Sequence, residues 1–349
     1  MSERPFQILS ISGGGYRGLH AAQILADLET HLGAPLSEYF DLVCGTSAGA
    51  INALAIANGM PASEVVDLFV SKGGQIFNGK PKMRFLKARH QREPLEEVLV
   101  QQFGTLTLGE LKTFVLIPAV DASTGKARVF KTPHHEDFKL DHACRVVDVL
   151  LSTTAAPTYF PIYAFPTSKR LYVDGGLIAN APGLFGVHEA MHFFEQPQAN
   201  IRLLSIGTAS VGRNVRVSES RVNRAMRHVW PFSRWVGKDV LDKGVYSWGA
   251  QLFDLTISAQ ESVADYMLKQ MLTEERYVNL DSKIDAERSK DIEGLDSCTP
   301  AATDTLIAHA KDTAQHAISD GRVTAFFESP KPPRRWFYGP QASNEEIAQ

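Results

Sequence analysis

The 349-residue sequence carries only three cysteines, Cys44, Cys144 and Cys298, far apart, odd in number and without a CxxC pair. That scarcity argues against a disulfide-stapled fold or a zinc site built on thiolates, and it fits a reducing compartment. No apolar run approaches the ~18 residues of a membrane-spanning helix, and the start MSERPFQILSI lacks the charged opening and apolar stretch of a secretion signal. A cytoplasmic, water-soluble protein is therefore expected. Charge of one sign is also missing: 36 Lys plus Arg face 39 Asp plus Glu, a net charge of -3. No global field draws the chain to DNA or RNA polymers or to anionic lipid. No internal repeat is visible. What remains is an ordinary globular mixture, 44% hydrophobic with 26 Gly and 18 Pro, enough to build one large domain or two of roughly 150 residues.

The order of elements predicts the fold class. Phe6 to Ser12 reads as a short apolar strand ending in Gly13-Gly14-Gly15, and a helix should begin near Gly18, with Leu19, Ala22, Leu25, Leu28 and Leu32 at helical spacing and Gly33 as its stop. Phe40 to Cys44 is a second strand, followed after Gly45 by a buried helix from Ser47 to Asn58. Residues 114–120, 127–131, 171–173 and 201–207 read as further strands with helical patterns between them. Strands alternating with helices indicate an α/β fold with a mostly parallel central sheet covered on both faces. Beyond about residue 210 the pattern becomes mainly helical, notably over 247–272 and 303–327, with one strand at 276–280. The expected division is an α/β core over 1–210, a helical C-terminal region over 211–328 packed on it, and a flexible tail over 329–349 with Pro clusters and no period.

Two glycine loops call for a joint explanation. Gly13-Gly14-Gly15-Tyr16-Arg17-Gly18 satisfies the G-x-G-x-x-G dinucleotide fingerprint, but the second strand ends in Cys44-Gly45-Thr46 where that reading wants an acid for the ribose, and Asp41 lies near its beginning. Gly45-Thr46-Ser47-Ala48-Gly49 is G-x-S-x-G between a strand and a helix, the setting of a nucleophile elbow. Its other reading is a glycine-bounded helix start capped by Ser47. With an elbow in place, the triple-glycine loop can supply backbone N–H groups to a tetrahedral oxyanion, with Gly13, Gly14 and Gly15 as donors and Arg17 either fixing the loop or screening the anion.

A serine nucleophile needs a base, and eleven histidines compete with one aspartate. Asp174 follows the strand over 171–173 and precedes Gly175-Gly176, which places its carboxylate at a strand end, where active-site groups of open parallel sheets gather; it is either that base or a turn aspartate. Taken together, G-G-G-x-R-G over 13–18, G-T-S-A-G over 45–49, D-G-G over 174–176 and Asn180-Ala181-Pro182 resemble the patatin-like phospholipases. The resemblance covers Phe6 to about Gly207. It implies a three-layer patatin-like fold, a Ser47–Asp174 dyad without histidine, the glycine loop as oxyanion hole, hydrolysis of phospholipid acyl esters through an acyl-enzyme, and no catalytic cofactor or metal.

Two further segments compete for attention. His188-Glu189-Ala190-Met191-His192 fits the H-E-x-x-H of a zinc protease, although Glu195 stands where the extended motif has glycine and a third ligand would have to come from Glu195, Glu219 or more distant residues. Ordinary helical histidines are the other reading. Between 213 and 238 lie Arg213, Arg216, Arg221, Arg224, Arg227, Arg234 and Lys238 with Glu219 as the acid among them, and Trp230, Phe232, Trp235 and Trp248 are interleaved or close by. This mixture suits a membrane headgroup surface, a site that stacks bases and neutralises phosphates, or simply a solvated helix over a core. The overall layout also resembles the cyclic-dinucleotide-activated patatin-like effectors of bacterial anti-phage signalling. That closer resemblance implies a regulatory pocket for a cyclic dinucleotide such as 3',3'-cGAMP, with Arg213, Arg216, Arg221 and Arg224 as phosphate contacts, peripheral action at the inner membrane surface and a homo-oligomer. A constitutive lipase, an H-E-x-x-H metalloprotease and a noncatalytic lipid- or nucleotide-binding protein are the alternatives.

Overall fold

The computed structural model describes residues 4–77, 87–209, 245–281, 284, 290–292 and 294–342. Eight strands within these residues form one sheet: β1 (Phe6–Ile11), β2 (Leu42–Gly45), β3 (Phe114–Asp121), β4 (Lys126–Lys131), β5 (Tyr163–Ala164), β6 (Leu171–Asp174), β7 (Ile201–Ile206) and β8 (Tyr277–Leu280). The order is β5-β6-β3-β2-β1-β7-β8, with β4 also paired to β3. The run from β3 through β8 is parallel; β4, β5 and β6 enter antiparallel.

The central strands β1, β2 and β3 are mostly apolar and buried because both faces are covered, whereas β4 is partly exposed. Along β1, Leu9 and Ile11 enter one core, with Leu19 and Leu25 of α1 (Gly18–Leu32) and Leu54 of α2 (Ala48–Asn58). Phe6 and Ile8 enter the opposite core with Val187 of α7 (Gly183–His192) and Leu268 of α8 (Val245–Met271). The remaining helices are α3 (Ala62–Ile76), α4 (Glu93–Phe103), α5 (Val146–Thr153), the short α6 (Gly176–Ala179), α9 (Pro300–Ser319) and α10 (Gly321–Thr324). α1 stops where expected, at Gly33, whose φ of 66° accommodates the left-handed cap. α9 starts at Thr299, whose hydroxyl accepts the Ala302 N–H at 3.2 Å. The described part of the C-terminal third is therefore divided: α8 lies on one face, α9 lies along α1 on the other, and β8 extends the sheet.

Two expectations need correction. The strand at 171–173 joins the sheet antiparallel to β3, so Asp174 does not sit at a parallel carboxyl end. It pairs with Ala119, on the part of β3 that runs on after its Cys44–Leu116 pairing with β2. Residues 329–342, expected as part of a flexible tail, lie against the body. The Lys331 N–H donates to Glu38 O at 2.6 Å, Trp336 packs on Phe114 at 4.6 Å between ring centroids, and the Phe337 N–H donates to Pro133 O at 2.8 Å. Their anchor is Asp41, whose fully buried carboxylate accepts from Arg4 at 2.7 Å, Arg334 at 2.8 Å and the Gln7 N–H at 2.8 Å. Proline and mixed charge suggested mobility because the sequence does not reveal a buried carboxylate 293 residues away.

Truncation after Glu328 should lower the melting temperature by about 5 °C or more in thermal denaturation, since it uncovers Phe114 and removes a cation from a buried carboxylate. An unchanged transition would mean that the segment contributes no stability.

Candidate active site

Between β2 and α2 the chain must turn within a few residues, and it does so at Ser47, with φ 52° and ψ -125°. This region costs a non-glycine residue on the order of 1–3 kcal/mol and persists only where neighbours enforce it. The enforcement is visible on each side. The Thr46 hydroxyl donates to Ala179 O at 2.6 Å, the Ser47 N–H donates to Thr153 Oγ1 at 3.0 Å, and that hydroxyl donates to Pro118 O at 2.6 Å. A Cβ on Gly49 would lie 2.3 Å from Ile11 O, so the helix can cross the end of β1 only without one. Gly45 is equally confined, by Gly49 O at 2.5 Å.

The half-buried Ser47 hydroxyl donates to Asp174 Oδ2 at 2.7 Å. β3 makes this meeting possible: it separates the two strands and outruns β2, so the acid carried by β6 reaches back across Pro118 into the space above the elbow. Asp174 is 2% exposed, and its Oδ1 accepts the Gly176 N–H at 2.6 Å. Burial pushes its pKa up to about 7, and the bonds from Ser47 and Gly176 pull against that rise. A group near neutrality can exchange a proton with a hydroxyl at working pH.

The glycine loop lies on the other side of the serine. Gly13, expected as an oxyanion donor, is already committed, because its N–H donates to Asn180 O at 3.0 Å. The N–H groups of Gly14 and Gly15 have no hydrogen-bond partner among the described residues and both glycines line the cavity over Ser47. Gly15 holds φ at 58°, and a Cβ there would lie 2.1 Å from Leu295 O. Arg17, the fourth member of the expected set, does not line that cavity; it is 5% exposed and lies behind the loop, its guanidinium 3.5 Å from the Gly14 and Ala209 carbonyls. It braces the turn rather than facing an anion.

The cavity itself was not legible in the sequence. From Ser47 it runs between Ile51, Leu68, Phe69, Leu95, Phe160 and Ile257, an apolar lining open to a hydrocarbon chain. Among the described residues no histidine lines it. The H-E-x-x-H segment lies on α7 with its members divided between two faces. Glu189 is buried, accepting from Lys131 at 2.7 Å and meeting His134 Nε2 at 2.8 Å, while His188 and His192 are exposed. Burial opposes ionisation of Glu189, but the His134 bond and the Lys131 charge hold its pKa below the usual carboxylate range. No group of three or more metal-ligating side chains occurs among the described residues. Arg213, Arg216, Arg221 and Arg224 lie outside the described residues.

Comparison with known proteins shows the family. The family model described as patatin-like phospholipase matches residues 9–184. A protein of Pseudomonas aeruginosa named cGAMP-activated phospholipase is 42% identical over 98% of both chains. Proteins of the same name from Vibrio cholerae and Escherichia coli are 31% and 32% identical, covering 93% and 94% of this chain and 95% and 94% of their own.

The burial of Asp174 has a measurable consequence for stability. Its folded pKa, about 7, lies above the unfolded value, so the folded state holds the proton more tightly. The resulting stability is fully present below about pH 4 and is lost as pH rises through 7. Asp174→Asn cannot ionise and should exceed the wild type by on the order of 4 kcal/mol in urea denaturation at pH 8, the gap closing as pH falls toward 4. A gap independent of pH would mean that the carboxyl titrates normally.

Proposed function

The chain belongs to the patatin-like phospholipase family, and from that premise we propose that it hydrolyses acyl esters of membrane phospholipids with Ser47 as nucleophile and Asp174 as its base. The observation that carries the reading is the 2.7 Å bond from the Ser47 hydroxyl to a buried carboxyl of near-neutral pKa. Asp174 accepts the hydroxyl proton as Ser47 Oγ attacks the ester carbonyl. Negative charge then develops on the carbonyl oxygen, where the Gly14 and Gly15 N–H groups can receive it. As the carbonyl re-forms, the lysolipid alkoxide leaves and takes the proton from Asp174. The acyl-enzyme is then cleaved by a water whose proton Asp174 accepts and returns to Ser47. The apolar cavity would hold the acyl chain, an arrangement that a peptide substrate does not require.

Regulation by a cyclic dinucleotide is the finer part of the proposal. It is supported by the names of three relatives that align over nearly the whole chain, including the region after residue 210. In this reading residues 211–328 carry the nucleotide response, Arg213, Arg216, Arg221 and Arg224 are candidate phosphate contacts, and the protein is a homo-oligomer that acts peripherally at the inner membrane surface. No helix among the described residues is long and apolar enough to cross a membrane.

Hydrolysis of phosphatidylethanolamine and phosphatidylglycerol vesicles should release fatty acid in the presence of 3',3'-cGAMP and fall at least ~1000-fold in Ser47→Ala and in Asp174→Asn. Turnover by Asp174→Asn near the wild-type rate would sink the dyad. Equal rates with and without nucleotide would remove the regulatory part and leave a constitutive lipase. Because the base must be ionised, kcat/KM should rise with pH to a plateau with a midpoint near 7 and drop about tenfold per unit on the acid side; a midpoint near 4 would mean that burial does not raise the pKa of this acid.

A further inference from the structure

α8 presents an apolar stripe to the body of the protein: Phe253, Ile257, Ala264 and Leu268 are all buried. Gln260 falls within this stripe at helical spacing, and Glu261 follows it. Their polar ends are occupied. Gln260 Oε1 accepts the Asn180 N–H at 2.6 Å, and Gln260 Nε2 donates to Gly176 O. The Glu261 carboxylate accepts from Asn180 Nδ2, which also donates to Gly13 O at 3.0 Å.

Those partners lead straight to the reacting groups. Gly176 is the residue whose N–H binds Asp174 Oδ1. Asn180 exchanges two bonds with Gly13, at the entrance of the loop that offers the Gly14 and Gly15 N–H groups. Ala179, within the same turn of helix, accepts the Thr46 hydroxyl beside the nucleophile. The four-residue α6 and Asn180 thus join acid, elbow and glycine loop, and Gln260 and Glu261 hold that junction from outside.

We propose that Gln260 and Glu261 are positioning residues, through which helix α8 sets the orientation of Asp174 and of the glycine loop. Neither touches the substrate. Both act through Gly176 and Asn180, so a displacement of α8 by one hydrogen-bond length would loosen the acid and the oxyanion donors together. The inference rests on the reading of Ser47 and Asp174 as the dyad, and it assigns to the region after residue 210 a direct connection to that dyad.

The test uses the full-length protein with 3',3'-cGAMP present, a short-chain p-nitrophenyl ester as substrate, and Ser47→Ala as control. Gln260→Ala should lower kcat at least ~10-fold with KM within about threefold. Its pH midpoint should move upward, because a freed Gly176 N–H no longer favours the ionised acid. Glu261→Ala should lower kcat in the same way, whereas Glu261→Gln, which keeps the acceptor for Asn180, should restore it to within about threefold of wild type. Gln260→Glu retains the acceptor for Asn180 but loses the donor to Gly176, so it should keep the fold and still shift the midpoint; it decides the matter if Gln260→Ala does not fold. A wild-type kcat and pH midpoint in folded Gln260→Ala or Gln260→Glu, with Ser47→Ala inactive, would overturn the inference. Activity surviving in Ser47→Ala would instead overturn the dyad on which it rests.

Discussion

The structure turns on one contact, a serine hydroxyl bonded at 2.7 Å to a carboxyl withdrawn from water. Serine is a poor nucleophile and an exposed carboxylate a poor base, because its ordinary pKa lies far below that of the alcohol. Burial narrows the gap by destabilising the ionised acid. The same burial works against folding, so the carboxyl must be held by the protein around it. Backbone strain at Ser47 and the neutral hydrogen bonds of Thr46 and Thr153 belong to the same arrangement, in which local instability is sustained by a sheet with two complete cores.

The architecture was largely legible because it follows from local rules. β1, β2 and β3 are mostly apolar runs ended by glycine or polar residues, α1 ends at Gly33, and the elbow lies where a glycine pair brackets a serine between strand and helix. Such signals involve neighbours in sequence, and the residues on either side of Ser47 and Asp174 define their turns. Asp-Gly-Gly after a strand leaves Asp174 open between a base and a turn aspartate, and the acid could be singled out only by the resemblance that the motifs carry together.

What stayed hidden depends on contacts between distant segments. Nothing near residues 171–174 indicates that their strand runs antiparallel, since direction is fixed by where β3 outlasts β2. Gly13 looks the same as Gly14 in sequence, yet its N–H is taken by Asn180, far along the chain. The apolar residues of the cavity are indistinguishable from core residues until their empty side is seen. Gln260 left a trace, a polar side chain inside an apolar stripe, but that trace means little without knowing what faces it.

The two arginines on Asp41 have a geometric corollary. Arg4 precedes the first strand and Arg334 lies close to the last described residue, so both ends of the described chain converge on one carboxylate at the amino end of β1. The catalytic turns stand at the carboxyl end of that strand. The described chain is therefore tied near both of its limits at the pole opposite the catalytic turns, a layout suited to circular permutation.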